Sequence, residues 1–367
     1  MVFLKQKGEG NRKRKYGRSL SFLAILSLVF FILSRLIPNW ATRSLREDML
    51  QASKLMSRSI KTLKDYRRAK GISIDPTIDI NRTGLIGLET SPLTTSLGGL
   101  KAKRTSVNPD FAGLVVYLFK KAGVGTGDTI AVGASGSFPA LILSVLSAAE
   151  VLKLDTLLYY SLGASQWGAN HPEFHWLTME DCLSRAGIFD TAPLAVSLGG
   201  EEDTGKNIGP ELRAALLELV EKKGFRLLEE PDFEKNVASR MRIYLQAAGD
   251  KKIKAFINVG GNTPNIGVDS EILNLKPGLV QVTKIPPRPR RGMVFEMAAR
   301  DIPVIHLLFI KGLAERYGLP WDPVPLPRPG ESPLFSSVIE KHPSFFSLAV
   351  LYVILFTVVF LFRKKIG

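Results

Sequence analysis

Two apolar stretches, one near each end of the chain, constrain this sequence most. Residues 19–37 contain Arg35 as their one charged residue, and residues 345–362 contain none. A helix needs roughly 20 apolar residues to cross the hydrocarbon core of a bilayer, and each stretch is about that long. The residues between them have a water-soluble composition, so we expect a globular body with a transmembrane helix on either side.

The charges beside the two stretches predict their orientation, because positively charged flanks stay in the cytoplasm. Arg43, Arg46 and Lys54, beyond the first stretch, weaken this bias without reversing it. We therefore expect a cell (inner) membrane protein with both termini cytoplasmic and residues 40–343 extracytoplasmic. The basic residues before the first stretch and after the second are Lys5, Lys7, Arg12, Lys13, Arg14, Lys15 and Arg18, and Arg363, Lys364 and Lys365.

Each stretch has an alternative interpretation. A basic segment followed by an apolar one is also typical of a cleaved signal peptide, but residues 34–38 offer no small-x-small cleavage site. The second stretch could be a buried core helix, although the Arg-Lys-Lys that follows it favours an anchor.

The net charge of +15 is concentrated beside the apolar stretches. Residues 40–70 carry nine basic and three acidic side chains, whereas residues 71–343 carry 29 and 30. Basic segments beside a membrane span are typical of contact with anionic lipid. A nucleic-acid-binding protein would carry its charge on the folded body, so we expect a membrane partner and no nucleic acid.

The periodicity of apolar residues divides the chain further. Residues 40–70 follow an amphipathic helical pattern that Gly71 ends. Strand-like and helical segments alternate over residues 71–318, which predicts an α/β fold: a mostly parallel sheet with helices on both faces, a Rossmann-like three-layer arrangement. The prolines after residue 319 predict a stiff spacer over 319–344. The principal predicted strands are 129–132, 156–161, 193–197, 255–259 and 302–308, and the principal predicted helices are 108–122, 138–152, 178–186, 209–223 and 232–248.

Glycine follows several of these strands. In parallel sheets, ligands bind outside the carboxyl ends of the strands, and glycine lets the backbone approach a ligand closely. If these ends are neighbours in the sheet, they form one crevice. The candidate ligand-binding residues are Gly133, Ser135, Gly136, Ser137, Gly163, Ser165, Gly260, Gly261, Asn262 and Thr263.

Two features indicate an anionic ligand. The turn at 133–137 precedes a helix whose free N–H groups and dipole suit a carboxylate or phosphate, unless Ser137 merely caps that helix. Basic residues also cluster at 101–104 and 284–291, and each cluster is either an anion-binding surface or a solvated or lipid-facing one. We include Lys103 and Arg104 among the candidate ligand-binding residues.

Ser135 and Ser165 are candidate nucleophiles. Gly133-x-Ser135 lies at a strand-to-helix turn like the nucleophile elbow, although Ser137 stands where that motif requires glycine. A serine nucleophile needs a base, and His171, His175 and His306 are candidates that spacing alone cannot place nearby.

His171 and His175 are also four residues apart, as in some metal pairs, and Glu173, Glu180 and Asp181 could add ligands. Pro172 and Trp176 favour a loop, in which that spacing fixes no geometry and the histidines simply pack. We expect no metal and no cofactor. The single cysteine, Cys182, excludes an intramolecular disulfide and is expected to be buried in a helix, and the lack of a Walker motif disfavours ATP-driven ligation.

Five blocks between residues 70 and 310 carry a family resemblance. They are Asn81-Arg-Thr-Gly-Leu-Ile-Gly, Ser91-Pro-Leu-Thr-Thr, Ala102-Lys-Arg-Thr-Ser-Val-Asn-Pro-Asp-Phe, Val132-Gly-Ala-Ser-Gly-Ser-Phe-Pro-Ala and Ser161-Leu-Gly-Ala-Ser-Gln-Trp-Gly-Ala. In these blocks the chain resembles the poly-gamma-glutamate system protein family. The resemblance implies a role in the synthesis or export of this anionic capsule polymer, with the synthesis or export subunits as partners, and it assigns no catalytic residue.

Three functions are compatible with these features. The first is a membrane-anchored accessory protein of poly-gamma-glutamate biosynthesis or export, whose extracytoplasmic domain binds the polymer, through its carboxylates, or a partner subunit. The alternative is an extracytoplasmic hydrolase or transferase acting on the poly-gamma-glutamate amide bond through Ser135 or Ser165 with a histidine. The third is a structural assembly factor. Whether the chain is an enzyme stays open at this point.

Overall fold

The computed structural model describes residues 2–337 and 343–366, without the side chains of residues 2–20, 34–43, 337, 343–346, 348 and 362–366. The expected basic tails at 5–18 and 363–365 therefore lie outside the described side chains, as do parts of both apolar stretches. The chain forms two compact units. One comprises Met1–Arg46 with Phe335–Gly367, and the other comprises Glu47–Leu334.

The α-helices are α1 (Val2–Ala69), α2 (Leu100–Ser106), α3 (Asp110–Lys121), α4 (Pro139–Val151), α5 (Trp176–Arg185), α6 (Pro210–Lys222), α7 (Phe233–Ala248), α8 (Thr263–Ile266), α9 (Met293–Ala298), α10 (Ile310–Tyr317), α11 (Leu334–Ser337) and α12 (Pro343–Ile366). The strands are β1 (Thr94–Ser96), β2 (Thr129–Ser135), β3 (Asp155–Ser161), β4 (Ala164–Ser165), β5 (Asn170–His171), β6 (Phe174–His175), β7 (Ala195–Ser197), β8 (Ile253–Val259), β9 (Gly278–Leu279) and β10 (Val304–Leu307).

A six-stranded sheet in the order β7-β3-β2-β8-β10-β9 forms the centre of the larger unit. All neighbouring pairs are parallel except β10 with β9, which is antiparallel. The predicted α/β architecture with a mostly parallel sheet is therefore confirmed. Helices surround the sheet, and the arrangement is consistent with a Rossmann-like fold.

The central strands are buried, as parallel strands covered by helices must be. Every residue of β2 is buried. Its sequence, Thr-Ile-Ala-Val-Gly-Ala-Ser, is accordingly mainly apolar and ends in small residues. A β-carbon at Gly133 would lie 2.7 Å from Nδ2 of Asn265, which explains why this central strand has glycine there. The register also aligns the last residues of three neighbouring strands, Ser135, Ser161 and Ser197.

The order in which successive strands are added to the sheet reverses between β2 and β8, although the two strands are parallel. From β2 the chain passes through α4 to β3 on one side, whereas β8 lies on the other side of β2 and is followed by β10 further out. The carboxyl ends of β2 and β8 thus form a topological switch point, the place where open α/β sheets bind ligands.

The proline-rich segment 319–334, which we call the belt, packs on the larger unit next to α2 and α3. Asp322 accepts two hydrogen bonds from Arg104, at 2.7 and 2.6 Å. Asp110, at the start of α3, accepts from the backbone N–H groups of Gly330 at 2.8 Å and Ser332 at 3.0 Å. These contacts hold the belt, which the sequence predicts to be a spacer, against α2 and α3. Of these two helices, α2 contributes Lys103 to the crevice at the carboxyl ends of the strands.

In the smaller unit, described side chains of α1 and α12 contact each other. Ser27 Oγ lies 2.8 Å from the hydroxyl of Tyr352, and the Phe30 ring stacks on the Tyr352 ring at a centroid distance of 4.2 Å. Many large apolar side chains of both helices are exposed, including Phe22, Ile25, Leu351 and Leu361.

Among the residues described, no helix combines the length and the apolar character needed to cross a membrane.

Candidate functional site

A crevice of about 500 Å³ opens at the switch point. Its walls come from the carboxyl ends of β2, β3 and β8, from β4, and from α2 and the segment that precedes it. The expected convergence of the glycine-ended strands therefore occurs in the fold. Of the predicted site residues, those that line the crevice are Lys103, Ser135, Ser137, Gly163, Ser165, Gly261, Asn262 and Thr263.

Four predicted ligand-binding residues do not line the crevice. Gly133 lies against Asn265, and a β-carbon at Gly136 would lie 2.6 Å from the carbonyl oxygen of Leu162, so both let buried segments approach closely. Gly260 adopts a positive φ of 86° behind Ser135, a conformation that favours glycine. Arg104 is paired with Asp322 of the belt.

Lys103 and Ser165 form the central pair of the site. Lys103 is on α2 and only 2% exposed, and its Nζ lies 2.8 Å from Oγ of Ser165, which is 6% exposed. Nζ also donates to the carbonyl oxygen of Ser137. The Phe138 ring covers the amine, with Nζ 3.5 Å from the ring centroid.

Burial controls the protonation of Lys103. Among the residues that the structure describes, no carboxylate forms an ion pair with it. Burial therefore lowers the pKa of the Lys103 amine from 10.5 to about 7, because a low-dielectric surrounding disfavours the charged form. A lysine that is partly neutral near pH 7 can accept a proton from a neighbouring hydroxyl.

A short chain of hydroxyl groups adjoins this pair. Ser135 Oγ donates to Ser137 Oγ at 3.0 Å, and the backbone N–H of Ser165 donates to the same oxygen at 3.0 Å. A hydroxyl oxygen has two acceptor sites and one proton to donate. When Ser135 gives its single proton to Ser137 rather than to the carbonyl oxygen of Gly163, which is 3.5 Å away, both acceptor sites of Ser137 are filled. The Ser137 proton is then left for a ligand in the crevice.

The candidate histidines are not the partners of these serines. His306 is buried in β10, where its Nδ1 lies 2.9 Å from Nδ2 of Asn258. His171 and His175 belong to the small β5–β6 hairpin, and Nδ1 of His171 accepts from the N–H of Glu173 at 3.2 Å. Burial lowers the pKa of His175, with a smaller effect of His171, and burial lowers that of His306, in both cases to about 4. None of the three hydrogen-bonds to Ser135 or Ser165 within the described structure.

A fully buried ion pair supports the opposite wall of the crevice. Asn262 Nδ2 donates to Oδ1 of Asp203 and to Oγ of Ser161, both at 3.0 Å. Asp203 in turn accepts from Arg240 Nη2 at 2.5 Å. Because a carboxylate only accepts, the amide group of Asn262 is fixed with its nitrogen toward Asp203.

Strand β1 and the residues that follow it lie beside Ser165 and limit the space around its hydroxyl group. Ser96 pairs with Ser165 in the β1–β4 ladder, and Gly98 donates to Oε1 of Gln166 at 3.2 Å. A methyl group at Gly98 would lie 3.2 Å from Ser165 Oγ and would clash with the carbonyl oxygen of Gln166. Glycine therefore keeps the space beside this hydroxyl open.

The sequence interpretation missed several site residues. It placed Lys103 among anion-binding residues without pairing it with Ser165. It did not find the roles of Asp203, Arg240 or Gly98. The one signal that pointed toward Gly98 was its neighbour Gly99, which precedes the basic cluster that contains Lys103.

Groups of three or more His, Cys, Asp or Glu side chains that could hold a metal ion do not occur in the described part of the chain. Cys182 is buried in α5, as expected. Comparisons of the chain with protein-family models, with curated proteins and with solved structures gave no match.

Proposed function

We propose that the crevice catalyses acyl transfer from an amide, with Ser165 as the nucleophile and Lys103 as its general base. The 2.8 Å contact between Lys103 Nζ and Ser165 Oγ, with both side chains buried in the wall of a crevice at the switch point, carries the proposal. Serine–lysine pairs are one of the recurring variants of activated serine nucleophiles. In this proposal, lysine replaces the histidine that the sequence interpretation named.

The hydrogen bonds suit a neutral lysine. A neutral amine has two protons and one lone pair. The carbonyl oxygen of Ser137 takes one proton, and the lone pair is then available for the Ser165 hydroxyl, which becomes the donor. The same geometry thus allows Lys103 to remove the Oγ proton as Ser165 attacks.

The reaction proceeds in two balanced steps. Ser165 Oγ forms a bond to the carbonyl carbon, its proton moves to Lys103, and the C–N bond breaks as Lys103 returns that proton to the leaving amine. Water then attacks the acyl-enzyme, its proton passes through Lys103 to Ser165, and a carboxylic acid leaves. An amine in place of water would make the enzyme a transferase. The free proton of the Ser137 hydroxyl is the candidate donor to the developing oxyanion.

The substrate class comes from the sequence resemblance. We propose a γ-glutamyl amide, the repeating linkage of poly-gamma-glutamate. Lys103 is the one basic residue among those that line the crevice, and Glu201 is the one acidic residue. One residue of an anionic chain therefore fits the crevice better than a long polyanionic segment does.

The test is acylation of the purified full-length chain by γ-glutamyl-p-nitroanilide. We expect release of p-nitroaniline and a γ-glutamyl adduct on the peptide that contains Ser165, detected by mass spectrometry after acid quenching. Ser165→Ala should abolish both signals. Ser147→Ala is the matched control, because Ser147 is a fully buried serine on α4 outside the crevice. Turnover that survives in Ser165→Ala would overturn the proposal.

A second candidate function is binding without chemistry, as an accessory protein of poly-gamma-glutamate biosynthesis or export. The observation that favours it is that Lys103, when protonated, is a buried cation in a polar crevice and suits a single carboxylate. Under this alternative, a glutamate oligomer binds in calorimetry, Lys103→Met removes the binding, and Ser165→Ala retains it. A chain without turnover and with that pattern would be a binding protein.

We also propose placement in the cell membrane with both termini cytoplasmic and the larger unit extracytoplasmic. The support is the apolar sequence of residues 19–37 and 345–362, their basic flanks, and the exposed apolar side chains of α1 and α12, since large exposed apolar surfaces mark contact with membranes or proteins. Alkaline phosphatase fused after Arg43 should be active. An inactive fusion there, with an active one before residue 19, would reverse the orientation.

A further inference from the structure

A second cavity, of about 170 Å³, lies between α5, β3 and the segment 189–192. It shares no lining residue with the crevice at the switch point. Three elements, α4, β3 and α5, and the segments 189–192 and 223–225 contribute to its walls, which are mainly apolar. The apolar lining residues are Leu146, Leu158, Leu183, Phe189 and Phe225, together with Trp176.

Two polar groups of this lining have no partner among the described residues. Glu180 Oε2 accepts a hydrogen bond from the Tyr160 hydroxyl at 2.8 Å, but Oε1 is buried without a donor. The indole Nε1 of Trp176, one turn earlier on α5, is buried without an acceptor. A buried polar group without a hydrogen bond is costly, and native structures seldom leave two of them in one small site.

The charges around the cavity leave Glu180 without a cation. Lys223, the one basic residue of the lining, lies 2.8 Å from Asp181, and Arg185 lies 2.9 Å from the other oxygen of that carboxylate. Asp190 adds a further acidic group to the lining. The site therefore combines a carboxyl group that lacks a positive partner, aromatic walls and an excess of negative charge.

We propose that this cavity binds a small primary amine that also carries an oxygen acceptor. The ammonium group donates to Glu180 Oε1, the oxygen accepts from Trp176 Nε1, and the aliphatic linker between them packs on the leucine and phenylalanine walls. Aromatic rings around a desolvated ammonium add a further attraction. Cavities of roughly 150 Å³ hold a molecule the size of benzene, so the ligand has about five or six non-hydrogen atoms.

The protonation of Glu180 agrees with this ligand. Burial raises the pKa of its carboxyl group to about 7, although the Tyr160 hydrogen bond and Lys223 oppose the shift. A cation next to Oε1 would favour the ionised form and lower that pKa. The site is independent of the proposed acyl transfer, because it uses none of the same residues.

The experiment is isothermal titration calorimetry of the purified full-length chain with 3-amino-1-propanol at pH 8. We expect saturable binding at one site, weakened at least 10-fold by Glu180→Gln and about 3- to 10-fold by Trp176→Phe. Glu221→Gln, which changes an exposed carboxylate on α6, is the matched control and should bind as the wild type does. Butylamine, which lacks the oxygen, should bind more weakly, and 1-butanol should not bind measurably.

The wild type provides a second readout that needs no variant. Affinity should fall as the pH drops from 8 to 6, because Glu180 gains a proton while the ligand stays charged. Asp181, Asp190 and Lys223 also line the cavity. Tyr160 donates to Glu180 from β3, and Arg185 pairs with Asp181 from the same helix. Glu180→Gln should remove the pH dependence. Failure of the probe to saturate, or binding that Glu180→Gln leaves unchanged at both pH values, would refute the proposal.

Discussion

Lys103 and Arg240 are both buried bases beside the same crevice, but their surroundings differ. Arg240 is fully buried, pairs with Asp203 at 2.5 Å, and bonds to Asn236 at 2.9 Å and Asn265 at 3.2 Å. Lys103 bonds to a carbonyl oxygen and a hydroxyl group, with no carboxylate partner in the described structure.

The pKa shifts follow this difference. Burial is the largest influence on the Arg240 guanidinium and would lower its pKa, but the charge and hydrogen bond of Asp203, together with Tyr159 and Tyr244, outweigh it and hold the pKa above its ordinary value. Burial acts unopposed on Lys103 and brings its pKa to about 7. Arg240 is thus a permanent charge that fixes the position of Asp203 and Asn262, whereas Lys103 can exchange a proton. Under the proposed function, Arg240 therefore supports the wall of the crevice and Lys103 carries the chemistry.

The largest expected effect is on turnover, and it distinguishes Lys103 from Arg240. Lys103→Met keeps the length and packing of the side chain but removes the base, so we expect turnover of γ-glutamyl-p-nitroanilide to fall by about 10²–10⁴-fold. The thermal unfolding midpoint should not fall, because the variant buries no charge. Wild-type turnover should rise as the pH increases through about 7, where Lys103 loses its proton. An unchanged turnover rate in Lys103→Met would contradict the role of Lys103 as the general base.

The second prediction distinguishes Arg240 from Lys103 by the free energy of unfolding. Arg240→Met leaves the Asp203 carboxylate buried without its cation, which should cost about 3–5 kcal/mol of unfolding free energy. Urea denaturation followed by circular dichroism measures this loss. The double variant Arg240→Met with Asp203→Leu should recover a large part of it, since no charge then remains unpaired. If the double variant is as unstable as Arg240→Met, the Arg240–Asp203 pair stabilises the fold through packing and not through charge pairing.

The pH dependence of stability is the third test. Lys103 binds a proton in the unfolded chain up to about pH 10.5 but loses it at about pH 7 in the folded protein. Between these values the unfolded state holds more protons, so stability rises with pH, by up to about 1.4 kcal/mol per unit. Below pH 7 the burial penalty is fully present. Lys103→Met should lack this slope, which the difference between wild-type and variant denaturation curves at pH 7 and pH 9 measures.

The smallest expected effect concerns the residue after Lys103. Arg104 pairs with Asp322 at 2.6 Å, and both side chains keep some exposure, 13% and 14%. Arg104→Met should cost only about 1 kcal/mol. It should also lower turnover slightly, because α2 carries both residues. Lys61→Met, which breaks an exposed pair on α1, is the control and should change neither quantity measurably.

Periodicity predicted much of the fold correctly. The strands and helices from residue 129 to 259 appear close to their expected bounds, because buried parallel strands and amphipathic helices leave strong local patterns. Beyond these elements, Leu227 forms a single parallel bridge with Val196 of β7. The two-residue strands β4, β5, β6 and β9 were not predicted, since they are too short to show a period.

The sequence predicted where the crevice lies in the fold but not which of its residues contact each other. Glycine after each strand located the crevice, because strand ends of a parallel sheet meet at one edge. The partner of Ser165 is 62 residues earlier in the chain, and Asp203 and Arg240 are 37 residues apart. No local spacing specifies such pairs. Histidines were the candidate bases, whereas the residue that contacts Ser165 is a lysine whose pKa burial lowers to about 7.

The belt has a consequence for biosynthesis. Arg104 and Asp110 bond to residues 218 to 222 positions later, so these contacts must wait until nearly all of the chain has left the ribosome. Contacts of such long range form late and slowly. A nascent chain that stops near Gly318 contains every strand of the central sheet but lacks the belt residues that bond to Arg104 and Asp110.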